Sequence, residues 1–176
     1  MKSQKKRNKK RGFSLIELLI VVAIILIIAA IAIPNLLRSR IAADEASAVG
    51  SLRTLNTAEV TYNTTYPNVG FACSLASLGP PAGSASVSSS TAGLIDSNLA
   101  GGVKSGYSFT MLSTNGCAPA NGIKTTYDYG AQPVSPGVTG GRYFCTDPTG
   151  VIQYNAASTG AFSDNGSGLC TAGTPL

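Results

Sequence analysis

Histidine is missing from all 176 residues, so the commonest general base and metal ligand at neutral pH is not available to this chain. The four cysteines, Cys73, Cys117, Cys145 and Cys170, form no Cys-x-x-Cys pair. A zinc site would need a scattered four-thiolate cage, and two disulfides in an oxidising compartment fit the pattern better. Four cysteines allow three pairings, and spacing alone leaves all three open. Without a nucleophile motif or metal-spaced ligands, catalysis has no candidate residues, and the sequence points to a non-enzyme with no cofactor. Acidic residues are also missing from the whole of the N-terminal region before Glu17.

What the N-terminus does contain is positive charge. Lys2, Lys5, Lys6, Arg7, Lys9, Lys10 and Arg11 place seven of the thirteen basic residues in the first eleven positions. From Phe13 onward six basic side chains face eight acidic ones, so the formal charge of +5 belongs to the leader alone. A basic run can bind nucleic acid or an anionic membrane surface. This one abuts an apolar run, so it reads as the cytoplasmic flank of a membrane segment, and no nucleic-acid partner is inferred.

Residues 13–37, FSLIELLIVVAIILIIAAIAIPNLL, hold a single charge, Glu17. As a helix they would extend about 37 Å, enough to cross a hydrocarbon core of about 30 Å. The excess of cations before the run places the leader in the cytoplasm and everything after Leu37 outside. Ile33-Pro34-Asn35 does not resemble the small-residue cleavage site of an ordinary secretory signal, although Ala29-Ala30-Ile31-Ala32 is small enough to keep that option open. Composition alone would suit an uncleaved signal anchor. Gly12, between the basic and apolar blocks, and Glu17, inside the apolar run, argue for something more specific. A carboxylate in a membrane helix costs up to about 2.5–3.5 kcal/mol at the centre, and an intramembrane acid is by default a functional residue.

After Arg40 the pattern stays helical but becomes amphipathic, with Ile41, Ala48, Leu52, Leu55, Tyr62 and Tyr66 at helical spacing. Asp44, Glu45, Arg53 and Glu59 fall among them and suggest a part solvent-facing surface. Pro67 and Asn68 end the pattern. A helix from Ser14 to Tyr62 would be roughly 70–75 Å long, with a kink expected at Pro34 and a weaker flexible point at Gly50. Tyr62 and Tyr66 read as helix-to-sheet packing. Residues 67–102 read as a variable Gly/Ser-rich loop, most linker-like from Gly79 to Gly93. Beyond Val103 the texture is β: Tyr107, Phe109 and Met111 alternate, as do Ile123, Thr125, Tyr127 and Tyr129. Arg142–Thr146 and Val151–Tyr154 flank Asp147-Pro148-Thr149-Gly150, a type I turn sequence. About four antiparallel strands are expected, with a loop-like tail from Asn155 held by Cys170.

The string Lys10-Arg11-Gly12-Phe13-Ser14-Leu15-Ile16-Glu17-Leu18, followed by apolar residues and Pro34, resembles the N-terminus of type IV prepilins and type II secretion pseudopilins. The resemblance covers residues 1 to about 40; the remainder is similar only in architecture. It implies an α+β pilin fold in five parts: leader 1–12, removed; membrane or filament-core helix 13–37; amphipathic helix 38–66; variable loop 67–102; and sheet with cysteine-bounded region 103–176. It further implies cleavage between Gly12 and Phe13 by a prepilin peptidase, methylation of the Phe13 amine, and pairing of Glu17 with the amine of a neighbouring subunit. Pro34 would act as a hinge. The implied disulfides are Cys145–Cys170, closing the C-terminal region over the sheet edge, and Cys73–Cys117, pinning the long loop. The implied partners are the inner membrane, identical or related pilin subunits, and pilus or secretion assembly machinery. The implied location is the inner membrane as precursor and then a surface pilus. A pseudopilin, a minor pilin that initiates or tips the fibre, and a signal-anchored binding module are the alternatives. Some pseudopilins hold calcium near the C-terminus, where Asp147 and Asp164 lie here. With no dense run of oxygen ligands, these read as solvated turn aspartates.

Overall fold

A computed structural model describes residues 13–112, 122–156, 160–162, 169–170 and 173–176. The backbone divides into two compact units, Met1–Arg38 and Ser39–Leu176. One helix, α1 (Leu15–Thr65), begins in the first unit and ends in the second. It stops two residues before Pro67, whose ring cannot continue a helical ladder.

In the second unit α1 presents Glu45, Ala48, Leu52, Leu55, Glu59 and Tyr62 inward, at alternating intervals of three and four. The expectation for Glu45 and Glu59 is therefore corrected. Both acids belong to the buried stripe, while Arg53 stays exposed. Each is tolerated because its charge has partners, without which burial would cost several kcal/mol. Glu45 accepts from the Gly141 amide at 2.8 Å and pairs with Arg142 at 2.6 Å. Glu59 accepts from the Tyr129 hydroxyl and, at 2.8 Å, from the Ala72 amide.

Residues 67–102 are more ordered than their composition suggested. Two short helices, α2 (Leu75–Leu78) and α3 (Ser97–Ala100), start at side-chain caps from Ser74 and Asp96. Ala72, Leu75, Leu78, Ile95 and Leu99 enter the core beside Tyr62 and Leu55. The apolar residues between the glycines and serines decide the outcome, because burying each is worth about 1.5–3 kcal/mol. Only the stretch around residues 81–87 stays largely exposed, and the Tyr62 hydroxyl donates to the Ser89 carbonyl at its far side. Tyr62 and Tyr66 contact each other at 4.9 Å between ring centres.

Among the described residues the sheet has six antiparallel strands in sequence order. They are β1 (Val103–Lys104), β2 (Tyr107–Met111), β3 (Tyr129–Pro133), β4 (Arg142–Thr146), β5 (Ile152–Ala156) and β6 (Thr174–Pro175). β2, β4 and β5 are strands that were expected, and the two-residue edges add to them. The strand anticipated from Ile123 begins only at Tyr129. Lys124 instead forms a bridge to Gly70 and sends its buried Nζ to the Ala72 carbonyl at 2.8 Å. Gly70, at φ +84°, admits no side chain there: a Cβ would lie 2.0 Å from the Lys124 carbonyl oxygen. The tail is likewise not all loop, since β5 reaches Ala156 and β6 pairs with it.

Asp147 is a second correction. The Asp147–Gly150 turn forms, with the Gly150 amide bonded to the Asp147 carbonyl at 2.9 Å. Its carboxylate, however, is buried rather than solvated, accepting from the Thr149 amide and hydroxyl and from the Cys170 amide. Cys145 and Cys170 form the disulfide, 6.0 Å apart at Cα. Asp147 and the bridge thus hold the C-terminal region at the same point; such a bridge contributes about 2–4 kcal/mol. Cys117, and with it the Cys73–Cys117 pairing, lies outside the described residues, as does Asp164.

Burial holds the Glu59 carboxyl above its ordinary range, against the opposing pull of the Tyr129 hydroxyl, the Ala72 amide and Lys124. An acid with a raised folded-state pKa binds protons more readily folded than unfolded, so it favours the fold as pH falls. Asp96, lowered by Lys104, acts in the opposite sense at lower pH. Urea midpoints of the full chain in detergent are therefore expected to show a Glu59 contribution that rises from neutral pH toward the ordinary carboxylate range. Glu59→Gln should flatten that contribution while leaving the one from Asp96. Identical pH profiles for the two proteins would contradict this.

Candidate assembly site

The first unit is described from Phe13. Every residue from Phe13 to Leu37 is exposed except Ala29, which is half-buried. Seventeen large apolar side chains stand uncovered there, with Phe13 at 80% exposure. At about 1.5 kcal/mol each, the low end for such groups, leaving them in water would cost on the order of 25 kcal/mol. α1 is long and apolar enough in this part to cross a membrane. The segment needs lipid or other protein around it.

The polar chemistry sits at the start of that segment. Ser14 precedes the first helical residue, Leu15, and the Ser14 carbonyl accepts from the Leu18 amide at 3.2 Å. Glu17 lies three positions after Ser14, and its Oε2 accepts from the Ser14 amide at 2.9 Å. This is the backward half of a capping box, which satisfies an amide that the helix leaves without a partner. The helix dipole adds to it, since a carboxylate is favoured in the first turn. Glu17 therefore has an intrachain partner, a backbone amide. Ser-x-x-Glu was visible in the sequence and would have found it. Among the described residues Glu17 Oε1 has no partner, so half of the carboxylate remains available next to Phe13.

Pro34 lies inside α1, which continues helically on both sides of it. Its missing N–H leaves the Ala30 carbonyl without its usual donor. One residue on, Asn35 Nδ2 donates to the Ile31 carbonyl at 3.1 Å. The side chain thus reinforces the ladder where the ring weakens it, a role for Asn35 that periodicity could not reveal. The structure brings Phe13, Ser14 and Glu17 together in one turn. Gly12 lies outside the described residues.

The family described as the prokaryotic N-terminal methylation motif matches residues 7–33, a span that includes Gly12, Phe13 and Glu17. Over 54 residues the chain is 48% identical to the type IV major pilin protein PilA of Myxococcus xanthus. That match takes in 31% of this chain and 24% of the relative, so the chain spans about a quarter of the curated relative it matches. No solved structure matches. The chain thus carries the N-terminal methylation motif of a class III signal peptide on a pilin-like fold, a long helix with an antiparallel sheet, and is distantly similar to a type IV major pilin.

Proposed function

We propose that this chain is a structural subunit of a type IV pilus filament. The observation that supports it most is the Glu17 carboxylate one turn from Phe13, with one oxygen on the Ser14 amide, at the start of a helix whose apolar surface nothing among the described residues covers. A prepilin peptidase cuts between Gly12 and Phe13 on the cytoplasmic side of the inner membrane, and the Phe13 amine is methylated. The amine and Glu17 then carry opposite charges in low-dielectric surroundings. There the loss of one partner of a buried pair costs about 3–5 kcal/mol. Pairing Glu17 of one subunit with the amine of the next relieves both charges and sets the axial register. The apolar surface moves from contact with lipid to contact with the same surface on other copies. A head-to-tail contact that does not close on itself produces an open helical polymer.

Pro34 is the hinge in this reading. Its helical turn already lacks one backbone bond and leans on Asn35, so it is the least costly place for α1 to lose order as subunits pack. A type II secretion pseudopilin or a minor pilin is the second reading, favoured by the same N-terminal motif, which precedes bodies of all three kinds. Assembly machinery of the pilus or secretion type would be its partner in either case.

Three results follow. Intact-mass measurement of the mature protein should give a chain beginning at Phe13 plus one methyl group; retention of residues 1–12 would overturn the proposal. Glu17→Val should leave cleavage intact and lower the number of fibres seen by electron microscopy at least about tenfold, as loss of a buried charge partner requires. Normal fibre numbers would remove the register role. Pro34→Ala restores a donor for the Ala30 carbonyl and about 3 kcal/mol of helix preference. Amide exchange around residues 30–36 in micelles should slow, and unchanged exchange would contradict the hinge.

A further inference from the structure

Met111 closes β2, opposite Tyr129 of β3, and is half-buried against the core. A methionine in such a place ordinarily fills an irregular gap. This one also meets a charge. Its Sδ accepts a hydrogen bond from Lys124 Nζ at 3.1 Å. Lys124 is buried, and among the described residues its ammonium has one other acceptor, the Ala72 carbonyl at 2.8 Å. A buried cation needs strong acceptors, and a thioether is a weak one. Lys124 therefore has one good acceptor and one poor one, and the poor one is a group that chemistry can change.

Lys124 is also what fastens the segment from Val69 to Ala72. Its amide donates to the Val69 carbonyl at 2.9 Å, and its carbonyl accepts from the Phe71 amide at 3.0 Å. Its Nζ takes the Ala72 carbonyl, while Glu59 takes the Ala72 amide at 2.8 Å. From Ala72 the chain continues into the exposed Cys73 and then α2. Whatever re-aims Nζ therefore acts on Ala72, the residue at which this segment enters the core. Met111 is the side chain placed to do so.

We propose that Met111 is a modification site for peroxides, and that Lys124 converts its oxidation into a loosening of the segment from Val69 to Ala72. A sulfur lone pair attacks one oxygen of hydrogen peroxide, and the S–O bond forms as the O–O bond breaks. Sulfur gives up two electrons and the peroxide accepts them. The departing hydroxide takes the proton of the transferred oxygen and leaves as water. The product is a sulfoxide, a change that reductases reverse. With 3.1 Å between Sδ and Nζ no further atom fits between them, so the two must separate. The sulfoxide oxygen is a strong acceptor where the thioether was weak, and the ammonium turns to it and off the Ala72 carbonyl. This concerns the second unit alone and holds whether or not the chain polymerises.

The full chain in detergent micelles would be treated with hydrogen peroxide, then followed by peptide mapping and amide exchange. Met1 and Met111 are its two methionines, and mapping separates them. Met111 should gain one oxygen. The Phe71 and Ala72 amides should then exchange at least about tenfold faster, as loss of a hydrogen bond to a charged group requires. The amides of Tyr107 and Phe109 should keep their rates. Peroxide also reaches the exposed Cys73. Met111→Leu keeps that thiol and nearly the same side-chain volume, so peroxide should leave its Phe71 and Ala72 rates unchanged. Met111→Gln carries an amide oxygen permanently and should show the faster rates with no peroxide added. If Met111 stays intact while Met1 is fully converted, the site is closed and the proposal fails. If Met111 is oxidised and Phe71 and Ala72 exchange as before, or respond equally in Met111→Leu, Lys124 relays nothing. If exchange accelerates throughout the sheet, oxidation unfolds the body and the local relay is wrong.

Discussion

Everything in this protein depends on α1 having two apolar surfaces, of which the described residues cover only one. From Glu45 to Tyr62 the inward stripe is buried under the sheet and the 67–102 segment. From Phe13 to Leu37 no other part among the described residues covers the side chains, and Ala29 alone is half-buried. A surface of that size is not stable in water, so the segment needs lipid or other protein around it. Membrane insertion and polymerisation are two solutions to the same physical requirement. In the proposed function the Glu17 carboxylate is what differs between them: in lipid it would rely on the Ser14 amide, which it accepts from here, and in a polymer it would also meet a charge.

Carboxylates also organise the body. Glu45, Glu59 and Asp147 are each buried, and each joins segments far apart in sequence: α1 to the start of β4, α1 to β3 and the Ala72 amide, and the β4–β5 turn to Cys170. Their hydrogen bonds have direction where apolar contacts do not, so they define which part of the sheet lies over which turn of α1. Lys124 and Glu59 grip the two backbone groups of Ala72 from opposite sides. The Cys145–Cys170 bridge closes beside Asp147, so the covalent and polar constraints on the C-terminal region coincide.

Much of this was legible from residues alone: the span of α1, its end before Pro67, three of the four longer strands, the Asp147–Gly150 turn and, through a family resemblance, the C-terminal disulfide. The errors have a common origin. Glu45 and Glu59 sit at core spacing but were read by charge, because their partners Arg142, Tyr129 and Ala72 are distant in sequence. Ala72, Leu75, Ile95 and Leu99 were masked by the glycines and serines around them, although burial acts on apolar residues wherever they occur. The alternation from Ile123 to Tyr129 looked like a strand, yet no β2 residue pairs with it before Tyr129. Ser14 was the one site residue missed through a purely local signal, the capping box.

The central claim is that the uncovered helix is made to be covered by copies of itself. Shearing cells that express the protein and identifying the dominant component of the released fibres tests this most directly. The account predicts that this chain, lacking its leader, makes up the bulk of those fibres. Fibres that lack it, with the whole of the protein retained in the membrane fraction, would contradict the account.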